Sequence, residues 1–505
     1  MKSLRPVSDF LLIFLAFLLL YLPFLSIDLD ANGVIEALNL KPGSPISHNH
    51  IIYGIVGKAF YDALQAAGFH GRSVDALQIL NAICGALGVA LAFIAFQKLG
   101  ATRRAALLGS VLWGTSFIYW LYSTDIGYVT LAGLFVVAAL LCRLELANTE
   151  SLALAFLLGL FFSLASLTFQ MACFMAPILF WPRRGRSRET LVSLATAGVI
   201  AGGTYLALGI SAGHTSAGDF IGWLGGYAGG RLPEWGLFDI ARLPIAMESA
   251  VRSFQSDLFE KFHDFVDHPF RYYVWRLGAG AVCLVVFSTA TLILAVRLIV
   301  EENRKFIWMI AGYLVFWPFI IWFSPSEAYW FLVPNLFLCA AIALAWGPWI
   351  KQSVPLLLVW GVVVVMAVST FVSTVLLKHV DPGIAGREVD CIAAFAKPND
   401  ALIATDWTWP AKLEYYRGIP SIPVIDLATS FHDRDKLFTY ISDELRKARQ
   451  RGGRIFIIDP GSYKAQHLTW LEQQIGFTAA DFERYPGKVR FQCEDSRFRE
   501  VTSFK

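Results

Sequence analysis

Eleven apolar runs, at 10–27, 76–97, 105–122, 126–142, 152–167, 170–181, 189–211, 272–297, 306–323, 330–346 and 355–377, constrain this chain more than any other feature. The hydrocarbon of a bilayer is about 30 Å thick and offers a peptide group nothing to bond, so a run of that length crosses it as a helix. Hydrophobic residues make up 56% of the chain and charged ones 16%, with a mean hydropathy of +0.55, which excludes an ordinary soluble domain. The expected fold is a polytopic α-helical membrane bundle of about eleven spans. The short runs 152–167 and 170–181 read either as a tight pair turning at Phe169 and Gln170 or as one broken helix. Lys2 and Arg5 precede the first run as in a signal peptide, but no small-residue cleavage site follows it, so it reads as a retained span.

Basic residues set the expected orientation. With a cytoplasmic N-terminus, Lys98, Arg103, Arg104, Arg143, the arginines at 183, 184, 186 and 188, Arg297, Arg304, Lys305 and Lys351 all lie inside. The loops 28–75 and 212–271, the turns 123–125 and 324–329, and everything after Leu377 then lie outside. The stretch from Ala246 to Phe265 is amphipathic and suits a helix on the membrane surface. A net charge of +3, scattered through short loops with no basic stripe, excludes a nucleic-acid partner.

Beyond Leu377 the composition turns charged, which divides the chain into a membrane part, 1–380, and a soluble extracytoplasmic α/β domain, 381–505. Ala401–Thr405, Ser421–Leu427 and Arg454–Asp459 read as strands, alternating with helices at Trp409–Arg417 and Arg434–Arg451, the rhythm of a small, mostly parallel layer. Asp406, Asp426 and Asp459 close those strands, but without a glycine-rich phosphate loop a structural or acceptor-positioning role is favoured. Five cysteines fall in spans, while Cys391 and Cys493 are alone in the outer domain and are expected to form a disulfide.

The chemistry is expected where acids crowd the mouth of a span. Asp28, Asp30 and Glu36 follow the first run, and His48 and His50 come just before the chain turns apolar again. An ionised carboxylate at the bilayer centre costs roughly 2.5 to 3.5 kcal/mol, so these acids belong at the interface or in a watered cavity. Asp125 in YSTDIGY and Glu327 in SPSEAYW fall on the same expected side. Acids grouped in a partly dry cavity push one another's pKa up, and serve as a general base or hold a metal. The plainer reading is that short turns are polar because they meet water; it leads for Glu327, ties for Asp125 and trails for Asp30.

Three segments then carry a resemblance: Asp30-Ala-Asn-Gly-Val-Ile-Glu36, His48-Asn-His50-Ile-Ile-Tyr53, and Trp120-Leu-Tyr-Ser-Thr-Asp125-Ile-Gly-Tyr128. Together with the span arrangement they resemble the GT-C glycosyltransferase superfamily, nearest its bacterial and protein O-mannosyltransferase-like branches. Asn49 and Ile51 depart from the usual histidine stretch, and Asp125 stands where Glu is commoner. The resemblance implies transfer of a sugar from a polyprenyl-phosphate donor to a lipid, glycan or protein acceptor on the outer face, usually with inversion. A carboxylate must then take the acceptor's proton, and the departing phosphate must be neutralised. Asp30 is the expected base, with Asp28 as fallback because two acids one residue apart cannot be ranked by sequence. Asp125 and Glu36 would orient the acceptor or hold a divalent ion, for which acids with histidines are suited although no spacing compels one. His48 and His50 would donate to the phosphate, Arg231 or Arg242 would supply its cation, and Tyr53, Tyr128, Glu327 and Tyr329 complete the expected substrate-binding set. Two other classes compete: a transporter or flippase of a lipid-linked sugar, and a non-catalytic assembly subunit of the same fold. The near absence of acidic or basic residues inside the long spans and the lack of an evident inverted repeat weigh against transport.

Overall fold

A computed structural model describes residues 5–40, 50–181, 187–224, 239–255, 270–350, 353–404, 408–431, 433–459, 462, 465–494 and 496–503. The chain separates into two compact units. One holds Met1–Ser26, Asn39–Phe220 and Phe238–His379; the other holds Ile27–Leu38, Ile221–Leu237 and Val380–Lys505. The acid-bearing stretch after the first span thus groups with the C-terminal segment.

The first unit opens with α1 (Arg5–Tyr21), and its expected outer loop 28–75 is largely helical, with α2 (Ala31–Asn39, mostly grouped with the second unit) and α3 (Ile51–Ala66). Then follow α4 (Ser73–Leu99), α5 (Arg103–Gly114), α6 (Phe117–Thr124), α7 (Tyr128–Glu145) and α8 (Leu152–Thr168). Among the described residues, seven helices are long and apolar enough to cross a membrane, eight if α5 and α6 count as one bent span. Leu152–Thr168, Gln170–Leu179 and Val285–Val300 are shorter apolar helices.

Two of the expected runs are not straight helices. The run 105–122 bends by 62° between α5 and α6. The Thr115 and Ser116 hydroxyls donate to the carbonyls of Val111 and Trp113, while the amides of Phe117 and Ile118 donate to Phe254 and Ser253 instead of continuing up their own helix. The run 170–181 is a 3-10 turn at Gln170–Met175 and one α turn at Ala176–Leu179, whose Pro177 lacks an amide hydrogen. The amphipathic stretch forms a helix at Leu243–Arg252, with Ala246 and Ser249 buried and Ile245, Met247 and Val251 exposed; 256–265 lies outside the described residues.

The spans divide by burial. Ala328–Trp346 is 83% buried and α4 and α7 are 72% buried, whereas Ser187–Ser211 is 11% buried. In lipid the hydrophobic effect does not drive helices together, so close packing must, and small residues permit it. A Cβ at Gly88 would meet the Tyr119 hydroxyl, and one at Gly85 the Ser123 hydroxyl.

Helix ends expected on one side do share one. Arg103, opening α5, pairs with Asp9 of α1 through two 2.7 Å hydrogen bonds, Lys98 near the end of α4 pairs with Glu145 at the end of α7, and Arg143 donates to the Trp181 carbonyl at 2.9 Å.

The second unit carries a five-stranded sheet: β1 (Ala401–Ala404), β2 (Ser421–Pro423), β3 (Ile455–Ile458), β4 (Gly487–Cys493) and β5 (Ser496–Val501), in the order β2-β1-β3-β5-β4. β2, β1 and β3 are parallel; β5 and β4 extend them antiparallel. Strand residues alternate faces, so Ala401, Ile403, Ile455 and Ile457 pack with Leu437, Ile441 and Leu471, while Leu402, Ala404, Phe456 and Ile458 pack with Ile392 and Leu413. Both faces are covered, which is why β1 and β3 are apolar at every position. The helices at Thr408–Arg417 and Arg434–Gln450 lie where expected. Ser421–Leu427 does not remain a strand: after Pro423 it becomes the helix Val424–Phe431, which carries Asp426. Cys391 and Cys493 are joined, stapling the helix Gly383–Phe395 to β4.

Candidate active site

In the first unit, two amides on one face of α4 build the turn that carries Asp125. Gln78 and Asn81, three residues apart and both buried, point the same way. Gln78 Nε2 donates to the carbonyls of Ser26 at 2.8 Å and Thr124 at 3.0 Å; Asn81 Nδ2 donates to those of Asp125 at 3.0 Å and Gly127 at 2.9 Å. The last carbonyls of a helix have no partner within it, and a membrane interior supplies no water, so these amides answer the end of α6. The Ser26 amide also donates to the Thr124 carbonyl at 2.9 Å, which pins the end of the first span to the same turn.

Asp125 stands in that turn at 1% exposure. Its Oδ1 accepts from the Ile126 amide at 2.6 Å, and Oδ2 lies 3.8 Å from Lys378 Nζ. Lys378 follows a single π turn, Phe371–Val375, a local widening of the helix that re-aims what comes after it. Its backbone is tied down as well: Ser26 Oγ donates to the Lys378 carbonyl at 3.3 Å, and His379 Nδ1 donates to the Leu25 carbonyl at 2.8 Å.

A wall of rings forms nearby in the same unit. His50 lies flat on Tyr128, with centroids 3.3 Å apart and planes 13° apart, and its Nδ1 donates to the Thr168 carbonyl at 3.1 Å. Since a carbonyl only accepts, Nδ1 carries a proton. Tyr128 meets Phe169, Phe169 stacks on Trp330, and Trp330 meets Tyr329, which in turn faces Tyr122. Tyr53 instead points into the protein, 1% exposed, its hydroxyl 3.4 Å from Asn81 Oδ1.

The second unit holds the other acids. Asp30 caps α2: its Oδ1 accepts from the Asn32 amide at 2.8 Å, and its carbonyl accepts from Val34 at 3.1 Å. Asp28 Oδ1 is paired at 3.0 Å with Lys412, whose side chain is only 5% exposed. Glu36 is 4% exposed on the inner face of α2, and burial pushes its carboxyl from 4.5 up to about 8.

Among solved structures, the chain is similar to ArnT from Cupriavidus metallidurans in the apo state, with a TM-score of 0.55, 14% identity and 98% of each chain covered. ArnT bound to undecaprenyl phosphate gives a TM-score of 0.52 at 15% identity, again over 98% of each chain. The arabinofuranosyltransferase AftD from Mycobacteria is similar over 98% of this chain and 40% of its own, with a TM-score of 0.51 and 13% identity. The fold is GT-C. No family model matches the sequence, nor does any curated protein.

Within this GT-C fold, His50, Tyr128 and Tyr329 belong to one aromatic wall, and Tyr53 is joined to the Asp125 turn through Asn81. Glu327 is half-buried and opens the 3-10 turn Ala328–Phe331. Arg242 donates to the Trp322 carbonyl at 3.2 Å, a backbone role absent from the sequence reading. His48, Arg231 and Asp406 lie outside the described residues. Asp459 is held at 3.2 Å by both Arg497 and Arg499. No group of three or more His, Cys, Asp or Glu able to hold a metal is found among the described residues, which do not include His48. The sequence reading missed Gln78, Asn81, Lys378 and Lys412. The first two were detectable as amides inside an apolar run, and Lys378 as the first cation after the last span.

Proposed function

We propose that this integral membrane protein is a glycosyltransferase that moves a sugar from a polyprenyl-phosphate donor to an acceptor hydroxyl on the outer face of the membrane, with inversion. The N-terminus is then cytoplasmic and residues 381–505 form the extracytoplasmic domain. The observation that carries the reading is the GT-C fold shared over 98% of both chains with ArnT, whose solved structure holds undecaprenyl phosphate.

Asp30 acts as the base. The acceptor oxygen bonds to the anomeric carbon as Asp30 takes its proton, the bond from that carbon to the phosphate oxygen breaks, and the polyprenyl phosphate leaves with the electron pair. Asp28 is favoured less because Lys412 already occupies its Oδ1. Lys378 takes the part first sought in Arg231 or Arg242: its ammonium, shared with buried Asp125, neutralises the oxygen of the departing phosphate. Asp125 orients Lys378, and the wall of His50, Tyr128 and Tyr329 offers ring faces to the sugar and carrier.

The test is transfer by purified protein in nanodiscs from a panel of polyprenyl-phosphate sugars, comparing wild type with Asp30→Asn and Asp28→Asn. Transfer that is lost in Asp30→Asn and only weakened in Asp28→Asn supports the assignment. A wild type that binds the carrier and never cleaves it, with any acceptor tried, overturns it in favour of transport or assembly.

A further inference from the structure

The buried Lys412 is the least expected charge in the second unit. It projects from the helix Thr408–Arg417, whose Trp409 and Leu413 pack into the core under the sheet, and it is 4% exposed overall. A buried ammonium persists only with a partner, and here the partner is Asp28 at 3.0 Å. Gly383, at φ +70°, also lies against Asp28. A Cβ at that position would lie 2.7 Å from Asp28 Cγ and 2.8 Å from each carboxylate oxygen. A side chain at Gly383 would therefore be strained twice, by its backbone and by the carboxylate.

Gly383 is itself fixed. Its amide donates to Asp381 Oδ1 at 2.9 Å, Asp381 is paired with Arg387, Arg387 reaches Glu494 at 3.4 Å, and the Cys391–Cys493 bond ties the same helix to β4. Asp28 thus touches two helices, each tied to the sheet. From Asp28 the chain runs through Leu29, which is 4% exposed, to Asp30, the cap of α2.

We propose that Lys412 is a positioning residue: acting through Asp28, with Gly383 as the backstop, it fixes the start of α2 and hence the direction of the Asp30 carboxylate. The inference rests on the reading of Asp30 as the base. It gives the C-terminal domain a task in the reaction, which is to hold the catalytic acid in place. A misplacement of about 1 Å at a reacting group costs on the order of 100-fold in rate, so an anchor two residues away is kinetically visible.

The experiment compares wild type, Lys412→Met, Lys412→Arg, Gly383→Ala and the charge-exchanged pair Asp28→Lys with Lys412→Asp, all full-length in nanodiscs. Single-turnover transfer is read together with thermal melting and with maleimide labelling of a cysteine introduced at Asn32, corrected for the native thiols. Lys412→Met and Gly383→Ala are expected to lower kcat roughly 100-fold while KM for the donor stays within about twofold. The exchanged pair recovers at least about tenfold over Lys412→Met, and Lys412→Arg stays near wild type. Labelling at position 32 rises in Lys412→Met and falls back in the exchanged pair. The proposal is overturned if folded Lys412→Met keeps the wild-type kcat, or if the exchanged pair recovers neither rate nor protection. Should Lys412→Met not fold, Gly383→Ala and the exchanged pair decide the matter. If wild type transfers no sugar at all, the assignment of Asp30 falls, and the labelling still shows whether Lys412 fixes α2.

Discussion

The turn at Asp125 and the segment from Asp28 to Glu36 look alike in sequence, each a short acidic stretch at the mouth of an apolar run, yet they are built on opposite principles. Asp125 is held by its backbone: Asn81 takes its carbonyl, Gln78 takes that of Thr124, and the carboxylate, 1% exposed, is left to face Lys378. Asp28 is held by its carboxylate, through an ion pair with Lys412, while Asp30 spends one oxygen on a helix cap. Amides donated from a buried helix fix a turn without consuming its charge. An ion pair fixes a segment by consuming one. The difference gives the two acids, one residue apart, separate tasks under the proposed function: Asp28 anchors the segment and Asp30 takes the proton.

The largest expected effect tests that division. Asp30→Asn removes the base proposed above and should lower kcat on the order of 1,000-fold. Asp125→Asn keeps the amide-held backbone and should cost less than Asp30→Asn. If Asp125→Asn is the more damaging in single-turnover transfer, the two segments have been assigned the wrong way round. Next in size is Lys378→Met, which removes a cation from the leaving phosphate and should cost roughly 100-fold in kcat, with Lys378→Arg recovering part of it. Equal kcat for Lys378→Met and wild type would leave the neutralising cation elsewhere.

Much of the fold was legible because lipid leaves few options: the apolar runs are mostly helical, seven or eight of them long enough to span among the described residues, and basic residues at 98, 103 and 143 mark helix ends that come together. Hydropathy could not see the bend between α5 and α6, because what breaks that helix is the claim of Phe254 and Ser253, more than a hundred residues away, on its amides. β4 and β5 were missed because Lys488, Arg490, Arg497 and Arg499 interrupt the apolar pattern of an edge pair. Asp30, Asp125 and His50 were singled out as candidates by residue type, since acids and histidines are costly near lipid. Partners were invisible: nothing in the sequence relates Lys412 to Asp28, 384 positions apart, or Asn81 to Asp125.

Removing an amide probes the other half of the comparison. Asn81→Leu removes the amide bonded to the carbonyls of Asp125 and Gly127 and to the Tyr53 hydroxyl, at a cost of roughly 2 kcal/mol in stability. Thermal melting in nanodiscs should show the loss, and Asn81→Asp should not restore it, since a carboxylate cannot donate. A variant that melts with wild type would mean that water, and not Asn81, satisfies this turn.

The smallest effect concerns Glu36, and its sign discriminates. Burial raises the folded-state pKa from 4.5 to about 8, so below 4.5 the group is protonated in both the folded and unfolded chain and contributes nothing to pH dependence. Between those values the unfolded chain has released the proton and the folded chain has kept it, so stability falls as pH rises, by at most about 1.4 kcal/mol per unit. Above about 8 the folded carboxyl ionises as well, and the dependence ends. Glu36→Gln should flatten this slope between pH 5 and 8 and melt higher than wild type near pH 8. An unchanged slope would place the Glu36 carboxyl in contact with water or a cation, and α2 would then be held by Asp28 and Lys412 with no help from a buried, protonated face.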